Sequence, residues 1–148
     1  MKSEKLYQLV WMSRPLMQAA ETCVENGLAG TDITVRMRAV LEMLRAQGNL
    51  SVPEIAAKLD IKRQYVQLMV NETLSAGFTM QRPNPRHMRS PLLALTEKGS
   101  ALIEDVIARE MKLMQAVGEE FSEDEIATAL KVVLSVTSQL KAQKDDQP

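Results

Sequence analysis

The sequence is poor in the residues that most reaction chemistry needs. Its 148 residues include one cysteine, Cys23, and one histidine, His87. A single cysteine excludes a disulfide framework within the chain and any cysteine-rich zinc site. A single histidine leaves little for metal or acid–base work. There is no Gly-rich phosphate loop, metal-ligand cluster or Ser/His/Asp set, so neither cofactor nor metal is expected and an enzyme is the weaker class. No apolar run approaches the ~20 residues of a membrane span. The opening MKSEKLYQLVW carries Glu4 and lacks a long apolar stretch with a small-residue cleavage site. It is not read as a signal peptide, and the cytoplasm is the expected compartment. Net charge is scarce too, at −1. At face value that argues against nucleic acid as a partner.

The near-zero total hides a partition. Residues 1–57 are neutral, residues 58–98 carry +4, and residues 99–148 carry −5. A basic segment within an otherwise acidic chain bears on an anionic partner more than the total does. A solvated basic face without a partner is the competing interpretation. The length suits one domain with a real core, and the 45% hydrophobic and 25% charged fractions are those of a soluble globular chain.

Most of the chain has helical periodicity. Leu6, Leu9, Val10, Ser13, Met17, Ala20 and Val24 make a first stripe, which Pro15 is expected to kink or split. Gly27 and Gly30 end it. A second helix starts near Thr34, carries Met37, Val40, Leu41 and Leu44, and stops at Gly48. Ser51, Pro53 and Glu54 form a capping box at the start of a short third helix with Ile55 and Leu59 on its apolar face. After a tight link, a helix from Lys62 to about Ala76 turns Val66, Met69, Val70 and Thr73 inward. The period then changes. Residues 78–82 alternate as a strand, Pro83-Asn84-Pro85-Arg86-His87 is turn chemistry, and residues 91–95 return, with Pro91 confined to the strand start. Thr96 caps a long helix carrying Ile103, Val106, Ile107, Met111, Met114 and Val117. A second capping box, Ser122 to Glu125, opens a last helix with Ile126, Leu130, Val133, Thr137 and Leu140. The tail KAQKDDQP is expected to fray.

Helix, short helix, tight link, helix, hairpin is the order of a winged helix-turn-helix, in which the second helix of the pair enters the DNA major groove. The inward stripe of that helix leaves Arg63, Gln64, Gln67 and Asn71 facing outward, with Lys62 and Tyr65 near its N-terminus. Gln and Asn suit adenine, Arg suits guanine, and a helix N-terminus favours phosphate. Arg82, Arg86 and Arg89 on so small a hairpin are hard to explain by packing and natural for backbone anchoring. His87 is a candidate for a phosphate or base contact or a pH sensor, though a lone turn histidine is more often simply exposed.

These segments together resemble the MarR family of bacterial transcriptional regulators. Arg14-Pro15-Leu16, residues 34–44 (TVRMRAVLEML), Ser51-Val52-Pro53-Glu54-Ile55-Ala56 and residues 61–67 resemble its successive helices. Asn84-Pro85-Arg86-His87-Met88-Arg89-Ser90 followed by Leu95-Thr96-Glu97-Lys98-Gly99 is the most specific match. His87 stands where the family's wing usually has an acid, Met88 where it often has Arg, and Thr73 where the recognition helix usually has Leu.

The resemblance implies a mainly α single domain spanning 1–148. Residues 31–99 would form the DNA-binding lobe, and residues 1–30 and 100–148 the dimerisation helices. It implies a homodimer on double-stranded DNA reading a pseudo-palindromic operator. It further implies a repressor, released by a small aromatic or phenolic acid or by oxidation. The residues agree on the dimer: a chain of this size has little interior for both broad apolar faces of residues 100–140. Arg14, Arg36 and Arg38 are candidates to face a carboxylate effector, or else are surface charges. Cys23 is a candidate redox switch, but Glu21, Thr22, Val24 and Glu25 supply no cation to activate it, and lone cysteines usually pack inertly. The ten methionines are read mainly as core or interface filler. A winged-helix module that binds only protein remains the alternative class.

Overall fold

The computed structural model describes residues 1–145. In chain order the elements are α1 (Lys2–Leu28), α2 (Val35–Gln47), β1 (Leu50–Ser51), α3 (Val52–Leu59), α4 (Arg63–Ser75), β2 (Thr79–Arg82), β3 (Leu92–Leu95), α5 (Glu97–Val117), a single 3-10 turn (Gly118–Glu120) and α6 (Glu123–Asp145). They fall into two compact units, one of Glu21–Glu110 and one of Met1–Ala20 with the residues from Met111 onward. The mainly α winged helix-turn-helix class is as expected. Leu28 of α1 and Ile103 and Val106 of α5 belong to the core of the Glu21–Glu110 unit, called the lobe below.

The start and stop signals act where their chemistry requires. Thr34 accepts a hydrogen bond from the Met37 N–H, and the Gly48 N–H closes α2 onto the Leu44 carbonyl, with φ 84° at Gly48. Ser51 and Glu54 complete the capping box of α3. Asp60 takes the left-handed conformation that ends α3, and the three-residue link 60–62 turns the chain into α4. Two expectations need correcting. Pro15 lies inside α1 and does not split it. One missing bond, to the carbonyl four residues back, is a local loss in a helix of 27 residues. The tail is not frayed from Lys141, since α6 continues to Asp145. The last three residues lie outside the described range.

The lobe core has two parts that share α2. Val40 and Leu44 pack with Leu50, Ile55, Val66, Met69, Val70 and Leu93. Leu41, on the adjoining face, packs with Leu28, Ile33, Phe78, Ile103 and Val106. The sheet is antiparallel in the order β1-β3-β2, with Leu50 opposite Leu93 and Gln81 also opposite Leu93 from the other side. Strand β1 was not foreseen, since two residues show no period. Pro91 stands just before β3, where its missing N–H interrupts no ladder.

The junction after α4 is the tightest part of the lobe. Gly77 turns the chain at φ 78°, and the Phe78 N–H reaches the Thr73 carbonyl at 2.9 Å. The Phe78 carbonyl accepts from the Thr96 N–H at 3.0 Å. The Thr96 hydroxyl donates to the Gly77 carbonyl at 2.7 Å and accepts from the Gly99 N–H at 3.1 Å. Gly99 lies so close that a Cβ there would stand 1.9 Å from the Phe78 oxygen. Thr73 is fully buried, where a leucine would bring only methyl groups. Its hydroxyl donates to the Val70 carbonyl and pairs with the Thr79 hydroxyl at 2.8 Å, joining α4 to β2 inside the core.

In the second unit, Ser122 and Glu125 cap α6 reciprocally. The Glu125 carboxyl is held below the ordinary carboxylate range by hydrogen bonds from the Ser122 backbone and side chain. Leu9, Val10 and Ser13 of α1 line a narrow cleft with Val133, Val136 and Leu140 of α6. Among the described residues of this unit none is buried. Leu16, Met111, Met114, Val117, Leu130 and Leu134 are each more than half exposed.

Gly99→Ala is expected to force α5 away from Phe78 and to cost about 1–3 kcal/mol, the range of an overpacked core. Urea unfolding should show a lower midpoint at unchanged slope.

Candidate nucleic-acid interface

The inward stripe of α4 is the one the sequence predicts, with Val66, Met69, Val70 and Thr73 all buried. Its consequence is that Arg63, Gln64, Tyr65, Gln67 and Asn71 are all exposed. The Gln67 amide donates to the Asn71 carbonyl oxygen at 2.9 Å, so two polar side chains one turn apart are ordered against each other. Lys62 occupies the N-cap position without a side-chain cap bond. The Tyr65 N–H bonds to the Lys62 carbonyl, and the N–H groups of Arg63 and Gln64 before it suit an outside acceptor, for which an anion is the natural one.

The wing is shaped by a residue that sequence reasoning quoted only as part of a motif. Asn84 is 8% exposed. Its amide nitrogen donates to the Ser90 carbonyl at 2.8 Å, and its amide oxygen accepts from the Arg86 N–H at 3.1 Å. The Ser90 N–H closes on the His87 carbonyl at 3.1 Å. One side chain thus holds both ends of the loop, and Arg86, His87, Met88 and Arg89 are displayed at its tip. An aspartate could not do both jobs, because it has no N–H for the Ser90 carbonyl. The signal in the sequence was an Asn opening a Pro-flanked turn, which specifies a turn but not its partners.

Two clefts flank the N-terminal half of α4. One, of about 330 Å³, brings Arg63, Gln64, Gln67, Gln81 and Arg89 together between α4 and the wing. The other, of about 500 Å³, lies between α3 and the wing and is lined by Glu54, Arg63, Asn84, Arg86 and His87. Arg63 borders both. In the second cleft the Glu54 carboxyl is held below the ordinary carboxylate range, first by hydrogen bonds from Ser51 and further by the positive charges of Arg86 and Lys58. Arg82 stands exposed at the wing base, its guanidinium 4.0 Å from the Met80 sulfur, and lines neither cleft. Asn71 faces a third, more open depression with Thr34, Arg36, Met37, Leu68 and Glu72. Gln81 and Leu68 were not foreseen. Both fall at exposed positions whose neighbours in space come from other elements.

The three arginines suggested for an effector each have a partner within their own unit. Arg14 lies over the Trp11 ring at 5.4 Å in the helical unit. In the lobe, Arg36 is bound to Glu72 at 3.1 Å. Arg38 is bound to Glu110 by a fork of two hydrogen bonds, one of 2.7 Å. Each guanidinium is held above its ordinary value chiefly by the hydrogen bond to its carboxylate. Arg45 makes a similar fork with Glu104 at 2.8 and 3.3 Å. These carboxylates already supply the anion an acidic ligand would offer. Cys23 is exposed on α1, and no hydrogen-bonded or ionic partner accompanies it among the described residues. Nor do those residues include a cluster of His, Cys, Asp and Glu able to hold a metal, or a helix long and apolar enough to cross a membrane.

Asn84→Ala is expected to cost about 1 kcal/mol, the net worth of a typical hydrogen bond. Amide exchange should accelerate at Arg86 and leave buried positions such as Val66 unchanged.

The arrangement has known counterparts. A crystal structure of a MarR family transcription regulator superposes with a TM-score of 0.87 at 34% identity, covering 99% of this chain and 97% of that one. A mutant MarR from E. coli complexed with operator DNA superposes with a TM-score of 0.75 at 24% identity, covering 87% and 93%. An uncharacterized protein of Mycobacterium tuberculosis is 40% identical over 60 residues, 40% of this chain and 42% of that protein. The chain thus spans less than half the length of the mycobacterial relatives it matches. No family model matches it.

Proposed function

The chain belongs to the MarR family of transcription regulators, and from that premise we propose that it binds double-stranded DNA as a sequence-specific regulator rather than acting as an enzyme. The observation that carries this is the cleft where Arg63, Gln64, Gln67 and Arg89 converge from α4 and the wing. Bidentate base readers and backbone-binding cations occupy one surface there, as major-groove reading requires. The E. coli relative is seen with operator DNA, which supports the same use here. Lys62 and the uncapped start of α4 serve a phosphate, and Arg86, His87 and Arg89 serve the flanking backbone. Tyr65, Asn71 and Arg82 complete the surface at its edges. The partition of charge supports this orientation, with +4 on residues 58–98 and −5 on residues 99–148. The cytoplasm follows as the place of work.

The regulator acts as a homodimer. The support is the helical unit, which exposes Leu16, Met111, Met114, Leu130 and Leu134 and buries none of its described residues. A second copy of the same helices is the partner that matches such a face, and two lobes would then read half-sites about one helical turn apart. Occupying an operator in this way favours repression. For an acidic effector, Arg36 and Arg38 offer guanidinium groups that already hold carboxylates. A redox role for Cys23 rests on its exposure alone.

Arg89→Ala is expected to lower the slope of log affinity against log salt by about 1. Gln67→Ala should leave that slope alone and relax base preference by ~1–3 kcal/mol. Titrations over a salt series, paired with selection from a random duplex library, check both; an unchanged slope for Arg89→Ala contradicts the phosphate role. Sedimentation at micromolar protein should give twice the 16.5 kDa chain mass, and a 16.5 kDa species alone contradicts the dimer.

A further inference from the structure

Glu72 is the only acidic residue of α4. It follows Asn71 directly and lies one turn beyond Leu68, which is 61% exposed. A carboxylate on the helix proposed to enter the groove stands within a Debye length of phosphates, about 10 Å at ordinary salt, and repels them. The structure handles this charge in a particular way. Nε and Nη2 of Arg36 both converge on Oε1 of Glu72 at 3.1 Å. The other oxygen, Oε2, has no accessible surface and no hydrogen-bond partner, the one such buried side-chain atom among the described residues. The arginine is the more exposed member, its side chain 52% exposed against 32% for the glutamate side chain. The Arg45–Glu104 pair is ordered the other way, with the acid more exposed at 56% against 35%.

We infer that Arg36 of α2 is a positioning residue for DNA binding, which folds the Glu72 carboxylate away and presents a positive surface in its place. The inference rests on the DNA-binding reading above and gives Arg36 a role other than effector capture. Arg36 acts through Glu72 and not through a phosphate of its own. An approaching duplex meets the guanidinium first, and the carboxylate stays turned towards the lobe. Loss of Arg36 uncovers a negative charge beside Asn71. Loss of both charges removes the repulsion together with its screen.

The test uses the full chain and a fluorescein-labelled duplex of about 30 base pairs of mixed sequence, titrated by anisotropy between ~50 and ~200 mM salt. Arg36→Ala should weaken binding about threefold to tenfold. Arg36→Lys should retain most of the parent affinity. Glu72→Gln should bind at least as tightly as the parent. Arg36→Ala combined with Glu72→Gln should return to within about twofold of the parent with an unchanged salt slope. Thermal unfolding of each variant checks that the lobe persists, and Glu72→Gln, which keeps Arg36, tests the sign of the effect independently. A double variant as weak as Arg36→Ala, with a slope lower by about 1, would mean that Arg36 contacts a phosphate and overturns the inference. So would an Arg36→Ala variant that binds like the parent. A parent that shows no salt-sensitive binding overturns the DNA reading itself, an outcome distinct from either of these.

Discussion

The lobe depends on one close approach. Gly99 sits against the Phe78 carbonyl where no side chain fits, with 1.9 Å between that oxygen and the place a Cβ would occupy. Around this contact the end of α4, the start of β2 and the first turn of α5 share their hydrogen bonds. Thr96 caps α5 and reaches Gly77 with the same hydroxyl. Lys98 lies over the Phe78 ring at 5.2 Å and donates to the Ala76 carbonyl. Phe78 itself is buried among Leu41, Ile103 and Val106. The end of α4, the start of β2 and the first turn of α5 are thus tied together at this one residue.

What the sequence made legible are features whose cause is local. Caps are of that kind: Ser51 with Glu54, Ser122 with Glu125, Thr34 and Thr96 each act within three residues of themselves. The stripe of α4 is also local, so its outward residues could be named from spacing alone. Features that depend on distant parts of the chain escaped. Strand β1 exists because Leu50 and Ser51 meet Leu93 and Leu92. Asn84 holds the wing because Ser90 returns to it. The pairing of Arg36 with Glu72 spans two helices. Arg36 and Arg38 of α2 were open to either reading in the sequence because their carboxylates lie on α4 and α5.

Charge in this protein is organised by direction more than by amount. The lobe gathers cations from α4 and the wing around the clefts beside α4, while its ion pairs tie α2 to α4 and α5. The helical unit exposes large apolar side chains, Leu16, Met111, Met114, Leu130 and Leu134 among them. A total of −1 is therefore compatible with a strongly basic reading face. It also implies weak attachment to arbitrary anionic surfaces, because the basic region is small and bounded by acid.

The buried hydroxyl pair of Thr73 and Thr79 joins α4 to β2 from inside, and the bonds that fix the wing are made by Asn84, Ser90 and the backbone. None of the exposed side chains on α4 or at the wing tip makes a bond of that frame. The scaffold and the alphabet it displays are thus separable. Single substitutions among the displayed residues are therefore expected to change what the surface recognises while leaving the lobe folded.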